Sequence, residues 1–421
     1  MGGEGLSASF SSRNIAVTAL FILLTLISAV SALSGCSRGT ADDEIIRRNT
    51  WTLIVSPRDY NAYLARGLAC DRQASYDRAV NDFSEAITIR PDCTDAYYYR
   101  ALTYIHKLDP SRATLDFSKV VELNPSHCDA YLQRGLLYFQ DNDMDKALAD
   151  HTKAIGLNDR CAEAYHCRAL IYEKKSDFAR ALADYDRAIE LKGDDQAFLK
   201  DRASFFVNRK KYEKAVADYD RLIGMSPEDT RYYLYRGDAF DSIGRDDRAL
   251  ADYTKAINLN PRYAVAYNNR GYLLVFRGLY DRAIVDCTRA IELSPEDPDA
   301  YDSRSFAYNH TGEYAEAIDD AKAAIRMEPR YAEAYDNLGY AQFRKGNLKE
   351  ARAGLEKAIS IDRALWRAYF HRALVLEAMK QPARAAKDYK TFLRHAGLRD
   401  RENIPEAREH LRKLRKMGTA N

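Results

Sequence analysis

A 34-residue period governs this chain. Proline recurs at Pro91, Pro125, Pro227, Pro261, Pro295 and Pro329, spaced by 34 residues or a multiple of it. Alanine holds a second register through ten successive units without insertion or deletion: Ala79, Ala113, Ala147, Ala181, Ala215, Ala249, Ala283, Ala317, Ala351 and Ala385. A fixed period of roughly 20–50 residues marks stacked supersecondary units, none of which can bury its apolar face alone. The 421 residues therefore read as one continuous stack rather than the several globular domains that length alone suggests.

Numbering each unit from 1 to 34, with proline at position 32, places unit one at 60–93 and unit ten at 366–399. Position 4 is tyrosine in every unit but the fifth, which has Leu199, and position 8 is always small, from Gly67 to Ala373. Residues at 4, 8 and 11 share one face of a first helix, and those at 20, 24 and 27 share one face of a second. Gly244, Gly278, Gly312 and Gly346 fall at position 15, where a left-handed residue can end the first helix. Pro110 and Pro382 fall at position 17, suited to the first turn of the second. This arrangement of small-8, Ala-20 and Pro-32 over residues 60–399 resembles the tetratricopeptide repeat, or TPR. The resemblance implies an all-α fold, a right-handed superhelical solenoid of about ten helix-turn-helix units.

Both ends depart from the repeat. Pro57 lies one period before Pro91, so Ile45–Val55 is expected as a half-unit, a lone second helix covering the first repeat, with residues 37–59 serving as tether and half-repeat. Ile404, Ala407, Leu411 and Leu414 form an apolar stripe after Pro405, the mark of a capping helix within residues 400–421. Its outer face carries Arg408, Arg412, Lys413, Arg415 and Lys416, a solvated surface or a contact for anionic lipid or cell-wall polymer.

Residues 1–36 lie outside the stack. Arg13 precedes an apolar run from Ile15 to Leu33, and small residues follow to Leu33-Ser34-Gly35-Cys36. A basic region, an apolar core and a small-residue exit describe a secretory signal peptide. The final tetrapeptide resembles the lipobox of bacterial lipoprotein precursors, which implies cleavage before Cys36 and lipid attachment to it. An uncleaved single-span anchor and ordinary cleavage after Ala32 are the other readings. All three place the repeats on the extracytoplasmic side of a membrane, an outer-membrane lipoprotein being the leading case.

Position 7, usually a large apolar residue in TPRs, is arginine in nine units: Arg66, Arg100, Arg134, Arg168, Arg202, Arg236, Arg270, Arg304 and Arg372. Position 23 is aspartate in the same nine: Asp82, Asp116, Asp150, Asp184, Asp218, Asp252, Asp286, Asp320 and Asp388. Unit nine loses both together, with Leu338 and Gly354. Contacting positions in an antiparallel hairpin have a nearly constant sum, which sets 7 level with 23. A partly buried ion pair inside each hairpin is expected, Arg236 with Asp252 and Arg270 with Asp286 among them, formed within units rather than between them.

If 4, 8 and 11 face the hairpin partner, positions 2, 5, 9 and 12 emerge on another side, which in TPR proteins lines the concave surface. Here it carries Leu102, Ile105, Leu136, Phe139, Tyr272, Val275, Phe276, Phe306, Tyr340 and Phe343, with Asp299, Asp302, Glu333 and Asp336 interspersed. An apolar stripe rimmed by charge marks a groove for peptide segments of other proteins; the competing reading is that neighbouring first helices bury these side chains. The carboxylate clamp of some chaperone-binding TPRs needs lysine, arginine and asparagine here. Units two and three offer Asp95, Tyr98, Leu102, Asp129, Leu132 and Leu136 instead.

With 64 basic against 62 acidic residues, charge gives no reason to expect nucleic-acid binding. No phosphate loop, nucleophile elbow or zincin motif occurs, so catalytic residues and cofactors are not expected. His127, Cys128, Cys161, His166 and Cys167 cluster around units three and four without the spacing of a preformed metal site. Cys70 and Cys287 fall at core positions, while Cys93, Cys128 and Cys161 occupy successive inter-repeat turns, judged too far apart for disulfides. The resulting reading is a non-catalytic, membrane-anchored adaptor. Its alternatives are a self-assembling structural element, possible as a homo-oligomer, and a scaffold associated with cell wall or polysaccharide.

Overall fold

The structure, a computed structural model, describes residues 40–397 and 400–416. The apolar run Ile15–Leu33 and Cys36 lie outside the described residues. Among those described are 22 α-helices and no strand. None of these helices is long and apolar enough to cross a membrane. A lone helix, α1 (Thr40–Val55), precedes ten hairpins, and α22 (Asn403–Lys416) follows them. Unit one is typical: a first helix Tyr60–Arg72 of 13 residues and a second helix Tyr76–Ile89 of 14. The helices fall into two compact bodies, one ending at Phe205 and the other beginning at Phe206. Within each, a second helix packs on the first helix of the next unit.

The turn inside each hairpin is left-handed at position 15 in every unit. Four glycines take this geometry without strain, at φ 70° to 92°. Ala74, Leu108, Asn142, Ser176, Lys210 and Lys380 take it as well, at φ 54° to 62°, although each carries a Cβ. The reason lies in the hydrogen bonds that the turn must close. The Asp109 amide donates to Tyr104 O and the Asp143 amide to Tyr138 O, both at 2.8 Å, satisfying a carbonyl that would otherwise end the helix unpaired. The side chains of the same aspartates then accept from the amides of Arg112 and Lys146, capping the second helix. One residue thus ends one helix and begins the next.

Small residues at position 8 are a steric demand of position 24. A Cβ on Gly237 would stand 2.7 Å from a ring carbon of Tyr253, and one on Gly339 would stand 2.6 Å from Leu355 Cγ. Ser305, the one hydroxyl at this position, donates to Ala317 O at 2.7 Å. The position-20 alanines are fully buried in all ten units, so the two backbones approach without intervening side chains.

Arginine 7 and aspartate 23 form a two-pronged pair in eight hairpins. Arg236 donates from Nε to Asp252 Oδ2 at 2.8 Å and from Nη2 to Oδ1 at 2.7 Å. Arg270 does the same to Asp286 at 2.7 and 2.8 Å. The pairs 66–82, 100–116, 134–150, 168–184, 304–320 and 372–388 repeat this geometry. Below each guanidinium lies the position-4 tyrosine ring, 5.4 to 5.9 Å away. This contact, favourable to a cation over a ring face, accounts for much of the tyrosine excess.

The arginine–aspartate pairs form within units, as expected, and the arginine also reaches beyond its unit. Its Nη1 reaches back to position 25 of the preceding second helix. Arg66 bonds Thr50 Oγ1 of α1, Arg100 bonds Ser84, Arg134 bonds Ser118, Arg270 bonds Thr254 and Arg304 bonds Thr288. Arg202 and Arg236 find carboxylates there, Asp186 and Asp220, each at 2.6 Å. The signal is present in the sequence: position 25 is Thr, Ser, Asp or Glu before every arginine, and Lys322 stands before Leu338. In unit nine, a Cβ on Gly354 would lie 3.4 Å from Gly339 Cα, an ordinary contact distance, so the glycine leaves only the ion pair's own side chains missing.

Two outcomes follow from this geometry. Asp286→Ala leaves a largely covered Arg270 without its carboxylate and should cost about 3–5 kcal/mol. The double change Arg270→Leu with Asp286→Gly recreates the unit-nine solution beside Gly271 and should cost far less; equal losses in urea unfolding midpoint would contradict the pairing account. Leu108 is 78 % exposed, so Leu108→Gly loses little packing while relieving a left-handed Cβ. It should gain about 0.5–1 kcal/mol, read as a higher thermal midpoint.

Candidate functional site on the first helices

Five of the ten stripe residues are not surface. Ile105, Leu136, Phe139, Val275 and Phe306 are buried, because adjacent first helices pack over them. Ile105 and Leu136 share one cluster with Phe117 and Leu137, and Phe139 packs with Ile171 of the next unit. Leu102, Tyr272, Phe276, Tyr340 and Phe343 remain half-buried and keep an open side.

The open residues concentrate in the body that begins at Phe206. There the rings of Tyr272 and Phe276 meet edge-on at 4.9 Å, and Phe276 continues to Phe306 at 5.5 Å. His310 lies 4.9 Å from Phe306 and stacks on Tyr280 at 4.7 Å. Tyr340 contacts Phe343 at 6.5 Å and His371 at 4.4 Å. The Arg367 guanidinium covers the Phe306 ring at 4.2 Å. Between these rings a cavity of about 40 Å³ is lined by Phe306, His310, Tyr340, Arg367, His371 and Glu406 of α22, among others. It is water-sized, so a ligand would rest on the face rather than enter it.

Beneath the rings runs a polar network that the sequence reading missed. Asn337 Nδ2 donates to Asp302 Oδ1 at 2.7 Å. Asp336, fully buried, accepts from Arg367 Nε and pairs with His371 Nδ1, each at 2.7 Å. In the other body, His166 Nε2 and Asp201 Oδ2 meet at 3.0 Å. All three pairs join position 5 of one unit to position 6 of the next, a separation of 35 residues. Polar residues recurring at that spacing were the available signal; Asp302 and Asp336 were read as charges interspersed in the stripe, without their position-6 partners in the next unit. Tyr331 OH also donates to Asp299 Oδ1 at 2.6 Å.

Burial sets the electrostatics. It pushes the Asp302 carboxyl up to about 8, with Glu333 adding to the rise and Arg367 and Asn337 opposing it. Burial would raise Asp336 as well, but His371 and Arg367 outweigh it and hold that carboxyl below its usual range. Neighbouring carboxyls thus occupy opposite protonation states near neutrality, one neutral and one charged and paired.

The histidine and cysteine cluster is dispersed by the fold. His127 Nδ1 accepts from the Ala130 amide as a helix cap. His151 is wholly buried, and burial drops it to about 3. Among the described residues no group of three or more His, Cys, Asp or Glu could hold a metal ion. The described cysteines are free thiols. Cys128 Sγ donates to Ala154 O at 3.4 Å, and Cys161 stands at the N-terminal end of the next first helix.

Models of the tetratricopeptide repeat match residues 60–93, 132–197, 167–230, 264–297 and 310–365, and a TPR repeat model matches 237–275. The chain is a tetratricopeptide-repeat protein. Proteins of this family are interaction scaffolds. Among solved structures, a tetratricopeptide repeat protein from Parabacteroides merdae is similar at 21% identity and TM-score 0.50, over 60% of this chain and 98% of that one. Yeast Tom70 matches at 15% identity and TM-score 0.43 over 96% of each chain. YrrB, described as a TPR protein with an unusual peptide-binding site, matches at 23% identity and TM-score 0.37 over 47% of this chain and 97% of that one. No curated protein matches the chain.

The buried carboxyl makes this TPR protein sensitive to pH. Asp302 titrates at about 8 when folded and at about 3.9 when unfolded, so the folded state binds more protons between these values and stability falls as pH rises through them. Asp336, shifted the other way, acts below this window. His151 and His310, both lowered by desolvation, act in the opposite direction up to about pH 6.5, so the prediction is a difference: from pH 5 to pH 8 the urea midpoint of the natural chain should fall relative to that of Asp302→Asn. Parallel slopes for the two chains would contradict the assignment.

Proposed function

We propose that this TPR protein is a non-catalytic adaptor, anchored on the extracytoplasmic side of a membrane, that binds peptide segments of partner proteins on the first helices of units seven to nine. The observation that carries this reading is the run of half-buried rings, Tyr272, Phe276, Tyr340 and Phe343, beside half-buried Asp299 and Glu333. Partly covered aromatic surface offers large contact area at low entropic cost, and adjacent carboxylates favour a guest with apolar and basic side chains. In the other body, Leu102 occupies the same register position as Tyr272 and Tyr340 and is half-buried. The anchor is the apolar run ending at Cys36, with acylation of that cysteine as its leading form.

Replacing Phe276 and Phe343 by aspartate should abolish cross-linking of partner proteins to the membrane-bound chain, while circular dichroism shows the helices intact. Capture that survives both changes removes the binding face from the reading. Cys36→Ala tests the anchor separately, through loss of the lipid-modified mass.

A further inference from the structure

We propose that the open face of α1, centred on Trp51, Ile54 and Val55, lies in the headgroup region of a lipid bilayer. The inference rests on the membrane-anchored reading above, and adds a second point of membrane contact on the folded part of the chain.

The inner face of α1 is spoken for. Ile46 packs with Leu64 and Leu68 of unit one, Leu53 is buried, and Thr50 accepts from Arg66. On the opposite side Trp51 is 69 % exposed, Ile54 64 % and Val55 80 %. In the repeat register Trp51 occupies position 26, which elsewhere is charged in eight units: Glu85, Lys119, Lys153, Arg187, Arg221, Lys255, Arg289 and Lys357. Ile54 occupies position 29, which is polar or glycine in all ten units. At positions 26 and 29 the other second helices are mostly polar and this one is apolar, whereas Val55, at position 30, stands where nine of the ten units carry Ile, Leu or Met.

A further unit or a second copy continuing the stack would not use this side. It would meet positions 20, 23, 24 and 27, which in α1 are Ile45, Arg48, Asn49 and Thr52. Asn49 Nδ2 bonds Ile45 O at 2.8 Å and Thr52 Oγ1 bonds Arg48 O at 3.1 Å, so these groups are satisfied on their own helix. Half-buried Ile45 is the one apolar side chain at the end of the stack, whereas the flank exposes three.

Chemistry and chain length point to lipid. Glu44, Arg47, Arg48, Trp51, Ile54 and Val55 share one face at helical spacing, and exposed Arg58 follows, so the arginines outnumber the one carboxylate. Tryptophan with aliphatic residues and flanking arginines suits the boundary between acyl chains and anionic headgroups. Thr40 lies four residues after Cys36, a reach of at most about 14 Å. Trp51 lies 11 residues further along α1, or about 16 Å of helix axis. A helix lying flat on the membrane keeps both within the same interface.

The chain contains two tryptophans, which makes the test direct. The other, Trp366, stacks on His395 at 4.2 Å within unit ten. Full-length Trp366→Phe is reconstituted in phosphatidylethanolamine–phosphatidylglycerol vesicles, with and without brominated acyl chains, and floated on a density gradient. Bromine should roughly halve its emission, as expected for a ring at interfacial depth, and leave that of Trp51→Phe unchanged. If Trp366→Phe folds poorly by circular dichroism, subtracting Trp51→Phe from the natural chain gives the same reading. Protein that floats while Trp51 stays unquenched overturns the membrane face and leaves the anchor standing. Protein that does not float overturns both. Blue-shifted, unquenched emission that grows with protein concentration assigns the face to a second copy and overturns the proposal.

Discussion

The guanidinium at position 7 is the joint on which the stack depends. It holds the aspartate of its own second helix with two hydrogen bonds, reaches the preceding unit through the third nitrogen, and rests on a tyrosine ring. Arginine suits this place because its planar fork serves several acceptors at once, which a lysine ammonium could not do with the same geometry. The aspartates are buried, so an unmatched partner is costly, whereas loss of the whole set is tolerated. Unit nine shows this: Leu338, Gly354 and the preceding Lys322 depart together.

A stack fixed in this way leaves its other faces free to vary. The first-helix face carries rings in units seven to nine and a buried polar ladder beneath them. That ladder joins units by an independent route, position 5 to position 6, on the side away from the ion pairs. Between units eight and nine, where Leu338 replaces the arginine, the ladder bond from Asn337 to Asp302 stands in its place. The aromatic face proposed for partner binding lies over this ladder.

Much of this was legible in the sequence because each repeat reads the same geometry ten times. Small-8, Ala-20 and Pro-32 gave the helix pairs, and the coupled loss at Leu338 and Gly354 pointed to contact between positions 7 and 23. Left-handed turns at Leu108 and Lys380 were not legible, since neither residue prefers that conformation; the closing hydrogen bonds impose it. The stripe was half misread for a related reason. Ile105 and Phe306 have the same spacing as Leu102 and Tyr340, and periodicity cannot say how closely the next first helix approaches.

Sequence alone determined the period, the helix pairs and the residues that hold each hairpin, because those interactions recur at fixed separation within one unit. Tertiary structure decided what happens between units. It gave the arginine its third partner, brought Asp336 against Arg367 and His371, buried half the apolar stripe and left Trp51 uncovered on α1. These outcomes depend on the distance and angle between successive first helices, which side chains from both units set together and no single repeat encodes.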